Sequence, residues 1–154
     1  MIKKSRLEEL IKQRATIYCA DRDVQFPIPI FLNEEDFVKK EDLSHEESCV
    51  RDNIPLEDLY ETEKQAEWAL KYQHIPRTEY LDLPMFEKFE KNKRFVFTSV
   101  DHTWYEISIF KKKILLNFTN DEYWTDYEDW EPLEATEENY TKACDLCVKL
   151  FKGE

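Results

Sequence analysis

The stretch RFVFTSVDHTWYEISIFKKKILLNFT, residues 94–119, alternates apolar with polar side chains and is rich in β-branched and aromatic residues. Successive side chains of a strand point to opposite faces, so this alternation specifies strands that bury one face. Three antiparallel strands are expected, over residues 94–100, 103–110 and 113–119, with turns at Asp101 and His102 and at residues 111–113. The chain holds a single glycine, Gly153. Turns that require positive φ should therefore fall to Asn, Asp or His, the short polar residues that tolerate the left-handed region. The same scarcity excludes Walker A and dinucleotide-binding loops, which need glycines where backbone approaches phosphate.

Upstream, Ile2, Leu7, Leu10 and Ile11 form a narrow stripe over residues 2–14, with Ser5 placed as N-cap and Glu8 three residues on. Residues 15–20 and 24–32 read as a hairpin. Pro27 and Pro29 fall two apart, so their missing donors lie on one side of the strand, which suits a sheet edge. Residues 33–58 carry ten acids against Lys39, Lys40 and Arg51 and read mainly as a loop, with a short helix over 34–40. Thr62 and Gln65 form a capping box ahead of a helix over 63–73, with Ala66, Ala69, Leu70 and Gln73 on one face and Trp68 beside Tyr72.

Pro84 opens a short helix over 83–90. Thr136 caps the last helix, with Glu137 and Glu138 in its first turn and a stripe of Tyr140, Ala143, Cys144, Cys147 and Leu150. The expected fold is α+β: an antiparallel sheet, made of an N-terminal hairpin and a C-terminal meander of three to four strands, with three main helices. One domain spanning 1–154 is expected at this length.

The charge is uneven. Thirty-four acids against 22 bases give a net of −12, which argues against direct nucleic-acid binding and for a partner with a basic surface. Residues 33–63 hold twelve acids and three bases, residues 114–141 hold nine acids and no base, and the remainder nets +6. No apolar run approaches the ~20 residues that span a bilayer, and Lys3, Lys4 and Arg6 open an amphipathic segment and not a signal peptide. A cytoplasmic protein with reduced cysteines is expected, with no membrane contact.

The densest acidic segment, DEYWTDYEDWE at residues 121–131, combines Asp121, Glu122, Asp126, Glu128, Asp129 and Glu131 with Tyr123, Trp124, Tyr127 and Trp130. Unpaired carboxylates are costly to bury, and four rings are too much apolar surface to leave in water. Some rings should face inward and the acids outward. These ten residues are the candidate partner-binding set: the acids offer a charge density comparable to duplex DNA, and the rings supply interface anchors. A hydrated surface is the plainer reading of the same pattern.

Other constellations carry less. Cys144 and Cys147 form a CxxC, but both lie in mid-helix on the apolar stripe, so core packing is expected, with no metal and no cofactor. His45, Glu46, Glu47 and Cys49 lack a second histidine one turn on. Asp101, His102 and Glu106 have acid–base composition, but turn chemistry accounts for them. No set satisfies a nucleophile, base and orienter, so no enzyme is expected.

SRLEELIKQRATIY, LEDLYETEKQAEWALKYQ with RTEYLDLP, and EENYTKACDLCVKLFKGE together cover a little under two-fifths of the chain. They resemble a scattered family of small accessory proteins from bacterial prophages and other mobile elements. One departure is Arg14, where relatives tend to have glycine. The resemblance implies a phage accessory protein, in a neighbourhood where anti-CRISPR and other counter-defence proteins are common. The resulting expectation is an anti-CRISPR-type inhibitor that covers the basic nucleic-acid channel of a host effector. The alternatives are an immunity or antitoxin-type protein capping a basic toxin, a phage accessory protein of another role, or a small enzyme with an unfamiliar site.

Overall fold

The computed structural model describes residues 2–21, 24–32, 49–50, 54–74, 81–120 and 122–154. The class is α+β, and the chain forms two compact units, Met1–His74 and Ile75–Glu154. Each unit sets helices against antiparallel strands.

The first unit runs α1 (Lys4–Lys12), β1 (Thr16–Cys19), β2 (Ile28–Phe31), a two-residue ladder of β3 (Cys49–Val50) with β4 (Ile54–Pro55), and a 3-10 turn (Leu56–Asp58). It continues with β5 (Leu59–Tyr60) and α2 (Glu63–Trp68), which widens into a π-helical turn (Ala69–Gln73) closed by His74 N–H on the Ala69 carbonyl at 2.7 Å. Three strands form a sheet in the order β2-β1-β5. Leu7, Leu10 and Ile11 of α1 bury against Ile17, Ile30 and Leu59, while Ala66 and Ala69 cluster with Ala20 and Tyr60. The sheet is thus apolar on both faces, as a sheet between two helices must be.

Ser5 is not the N-cap: α1 starts at Lys4 behind Lys3, which makes no side-chain cap bond. Burial of Ile2 just ahead of the helix outweighs a cap worth ~1 kcal/mol. The Thr62 capping box forms, with both bonds at 3.2 Å. Trp68 and Tyr72 stack with centroids 4.2 Å apart, and Tyr72, not Gln73, is the fully buried residue, since a ring gains more than an amide on leaving water. Among the described residues β2 is an edge strand, as its prolines demand. Leu32 N–H bonds the Ala15 carbonyl, and the alternation of that ladder points Ile30 and Ile28 toward β1 and Pro29 and Pro27 away from it. The helix expected over 34–40 lies outside the described residues, and β5 was not expected at all.

The second unit runs α3 (Phe86–Asn92), β6 (Arg94–Thr98), β7 (Trp104–Phe110), β8 (Lys113–Thr119), β9 (Thr125–Asp126), β10 (Leu133–Glu134) and α4 (Glu137–Lys152). The sheet order is β10-β8-β7-β6, with β9 also paired to β8. The three long strands are those the alternation specifies, and Phe97, Tyr105, Ile107, Ile114 and Leu116 are buried on one face. Tyr140 of α4 is wholly buried, stacks on Phe89 of α3 at 4.4 Å, and donates its hydroxyl to the Pro84 carbonyl at 2.5 Å. Burying such a ring is worth ~2 kcal/mol, and the hydrogen bond removes the cost of its polar end. Pro84 is drawn into that contact, so α3 begins two residues later than Pro84 would allow.

The turns correct the expectation about glycine substitutes. His102 has φ 66°, as expected, but the β7–β8 turn is made by Lys111 (φ 51°) and Lys112 (φ 65°), and Lys93 caps α3 at φ 65°. A two-residue hairpin of this hand needs positive φ at both centres whatever residue stands there.

Candidate interaction surface

The acidic aromatic segment leaves β8 and folds back along its free side. β9 pairs Thr125 with Phe118 and Asp126 with Asn117, and Tyr127 N–H then bonds the Leu116 carbonyl at 2.9 Å. This register fixes which ring goes where, because neighbours in one row share a face. Tyr127 falls on the buried face and meets Phe118 and Tyr105 edge-on, at 5.9 and 6.3 Å. Burial, with the charges of Asp129 and Glu128 behind it, raises its phenol above the ordinary value. Trp130 is half-buried and donates its indole N–H to the Ile114 carbonyl at 3.0 Å, which fastens the return of the chain to β8.

The other two rings face solvent: Tyr123 is 76% exposed and Trp124 39%. Glu122, Asp126, Glu128, Asp129 and Glu131 are all exposed, and Asp121 lies outside the described residues. The ten candidate residues therefore divide. Tyr127 and Trp130 anchor the strip, and Tyr123, Trp124 and the five described acids are presented by it.

Register places further residues on the presented face. Val96, Glu106, Asn117 and Asp126 are successive partners across four strands, and Trp104, on the same side, is 51% exposed. Arg94 pairs with the Glu106 carboxylate and lies over the Trp124 ring, 5.9 Å from its centroid. The Asn117 amide, oriented by its neighbours, donates to Asp126 Oδ1 at 2.9 Å. Arg94 and Trp104 were not singled out from the sequence, yet a signal existed: a Trp on the polar phase of an alternating strand must stand on the open face. Tryptophan and arginine are among the residues that dominate interface energetics, and Trp104, Trp124 and Arg94 bring both types here.

The remaining constellations resolve into structure. Cys144 and Cys147 have no exposed surface, and burial pushes both thiols well above the ordinary range. Asp101 accepts from the Ser99 hydroxyl, which holds its carboxyl below the usual value, while Glu106 is engaged by Arg94. His45, Glu46 and Glu47 lie outside the described residues. Among the described residues no three His, Cys, Asp or Glu side chains converge as a metal site, and no helix is long and apolar enough to cross a membrane. Compared with family models, curated proteins and solved structures, the chain matches none.

Proposed function

We propose that this chain is a non-enzymatic inhibitor that binds a basic, nucleic-acid-binding protein and occupies the channel where that protein would hold nucleic acid. The observation that carries the reading is the strip at 122–131: two of its rings are sunk as anchors while Tyr123 and Trp124 stand out among five exposed acids. Acids in such an arrangement steer encounter with a basic groove, and exposed rings hold the complex once formed. Together with the prophage-like segments, this favours a counter-defence role against a host effector of the CRISPR type. Inhibition would follow binding stoichiometry and not turnover.

The test is competition on a purified effector of that class. The protein should displace the effector's nucleic acid at about one equivalent, given tight binding. Asp126→Asn, Glu128→Gln and Asp129→Asn together should slow association and flatten its salt dependence, whereas Trp124→Ala should speed dissociation by ~2 kcal/mol. Unchanged binding by both variants, or inactivation at far less than one equivalent, would overturn the reading.

A further inference from the structure

The second unit also carries the opposite charge in one place. Lys91 and Lys93 at the end of α3 and Lys111, Lys112 and Lys113 at the β7–β8 turn border a single cleft of about 1010 Å³. Glu134, Ala135 and Thr136, leading into α4, line it as well. That volume is at the upper end of small-ligand sites. All five lysines are exposed, and among the described residues none is ion-paired; Lys111 lies over the Phe110 ring instead, 5.4 Å from its centroid. Glu87, Glu90 and Glu134 are the acids on the same cleft, so five cations meet three anions in a chain whose net charge is −12.

Backbone strain gathers at the same spot. Of the five non-glycine residues with positive φ among the described residues, Lys93, Lys111 and Lys112 all border this cleft. Glycine or asparagine would hold those turns at lower cost, so a long cation there is a choice that folding does not make. Lys91 and Lys93 complement the C-terminal end of the α3 dipole, which is reason enough for both; Lys111 and Lys112 have no such reason. The turn is also fixed in place. Ala135 N–H bonds the Lys112 carbonyl at 2.9 Å, and Ile109 N–H bonds the Lys93 carbonyl at 2.9 Å, so the ammonium groups spring from a pinned backbone. α4 begins just past Thr136, and Glu137 and Glu138 in its first turn already complement its dipole, so the attraction for an anion comes from the lysines alone.

We infer that this cleft binds a compact oligophosphate, either inorganic or the phosphate tail of a nucleotide. Ammonium groups serve as point charges for phosphate without the glycine-rich backbone that this chain lacks. A compact anion fits better than a nucleic-acid strand. The acidic strip of the same unit and the net charge of the chain oppose any polyanion that extends beyond the cleft.

Titration of the intact protein with tripolyphosphate, followed by calorimetry and amide NMR, tests the inference. Saturable binding should shift the amides of residues 111–113 and 135–136. Lys111→Asn with Lys112→Gly is the decisive variant, because it relaxes the turn while removing two cations: melting should rise and affinity should fall about tenfold. ATP in a parallel arm shows whether a nucleoside contributes; binding of either ligand supports the site. Unchanged tripolyphosphate affinity in that variant, equal affinity for sulfate, tighter binding of a single-stranded oligonucleotide, or no saturable shift would each overturn it.

Discussion

The Arg94 guanidinium links two features of the sheet: it pairs with the Glu106 carboxylate on the neighbouring strand and lies 5.9 Å over the ring of Trp124, which is carried in from the far side of β8. Trp124 is thereby held in place without being buried. Trp124→Ala should leave thermal stability within ~1 kcal/mol of the parent, since an exposed cation–π contact is worth about that much. Trp130→Ala should instead cost ~2–4 kcal/mol, because it removes a half-buried ring together with its indole hydrogen bond to the Ile114 carbonyl. Thermal melts of the two variants decide this, and equal losses would contradict the division of the strip into anchors and presented rings.

Turn geometry gives a pair of opposite effects. Lys112 at φ 65° should gain from glycine, and Gly153 at φ 77°, which ends α4 with bonds to Leu150 and Lys149, should lose with alanine. An added Cβ at Gly153 meets Val100 Cγ2 at 3.5 Å, an ordinary contact, so the loss comes from the backbone alone. Each change should be about 1 kcal/mol, upward for Lys112→Gly and downward for Gly153→Ala, measured by denaturant midpoints.

The two α4 thiols should make the protein alkali-sensitive. Burial raises both above their ordinary value of 9.0, so the unfolded chain loses these protons at lower pH than the folded one. Stability is then complete below pH 9 and falls above it, by up to about 1.4 kcal/mol per pH unit for each thiol. Cys144→Ala with Cys147→Ala should flatten the decline between pH 9 and 10. Cys144 and Cys147 should also resist thiol reagents until the protein unfolds, and Cys147→Ser should cost ~1–3 kcal/mol by burying a hydroxyl.

On the acid side the relevant pair is Arg6 with Glu61, whose side chains approach to 2.5 Å and tie α1 to the segment after β5. The Arg6 hydrogen bond holds the Glu61 carboxyl below its ordinary 4.5. Its contribution is therefore present above pH 4.5 and lost as pH falls through the lowered value. Glu61→Gln should melt earlier than the parent at pH 7 and converge with it near pH 3. A difference that persists undiminished in acid would show that the ion pair is not its cause.

Much of this architecture is legible locally. The strands over 94–119 follow from an uninterrupted alternation, and the Thr62 and Thr136 caps from residues within one turn of each other. β5 is illegible for the converse reason: Leu59 and Tyr60 are two residues whose strand character comes from pairing with Cys19 and Tyr18, far back in the chain. The lysine turn escapes because chain connectivity overrides residue preference there. In the strip at 121–131, composition says that some rings must be inward, but the choice of Tyr127 and Trp130 over Tyr123 and Trp124 rests on a two-residue register with β8 that no local period encodes.

The prolines of β2 have a consequence for the company this protein keeps at high concentration. Phe26, Ile28 and Phe31 expose apolar side chains along a sheet edge, the kind of strand onto which another chain adds itself and starts an aggregate. Pro27 and Pro29 deny an incoming strand two of the donors it would need, while leaving the inward ladder to β1 untouched. An apolar rim so disarmed can stay in water without recruiting copies of itself.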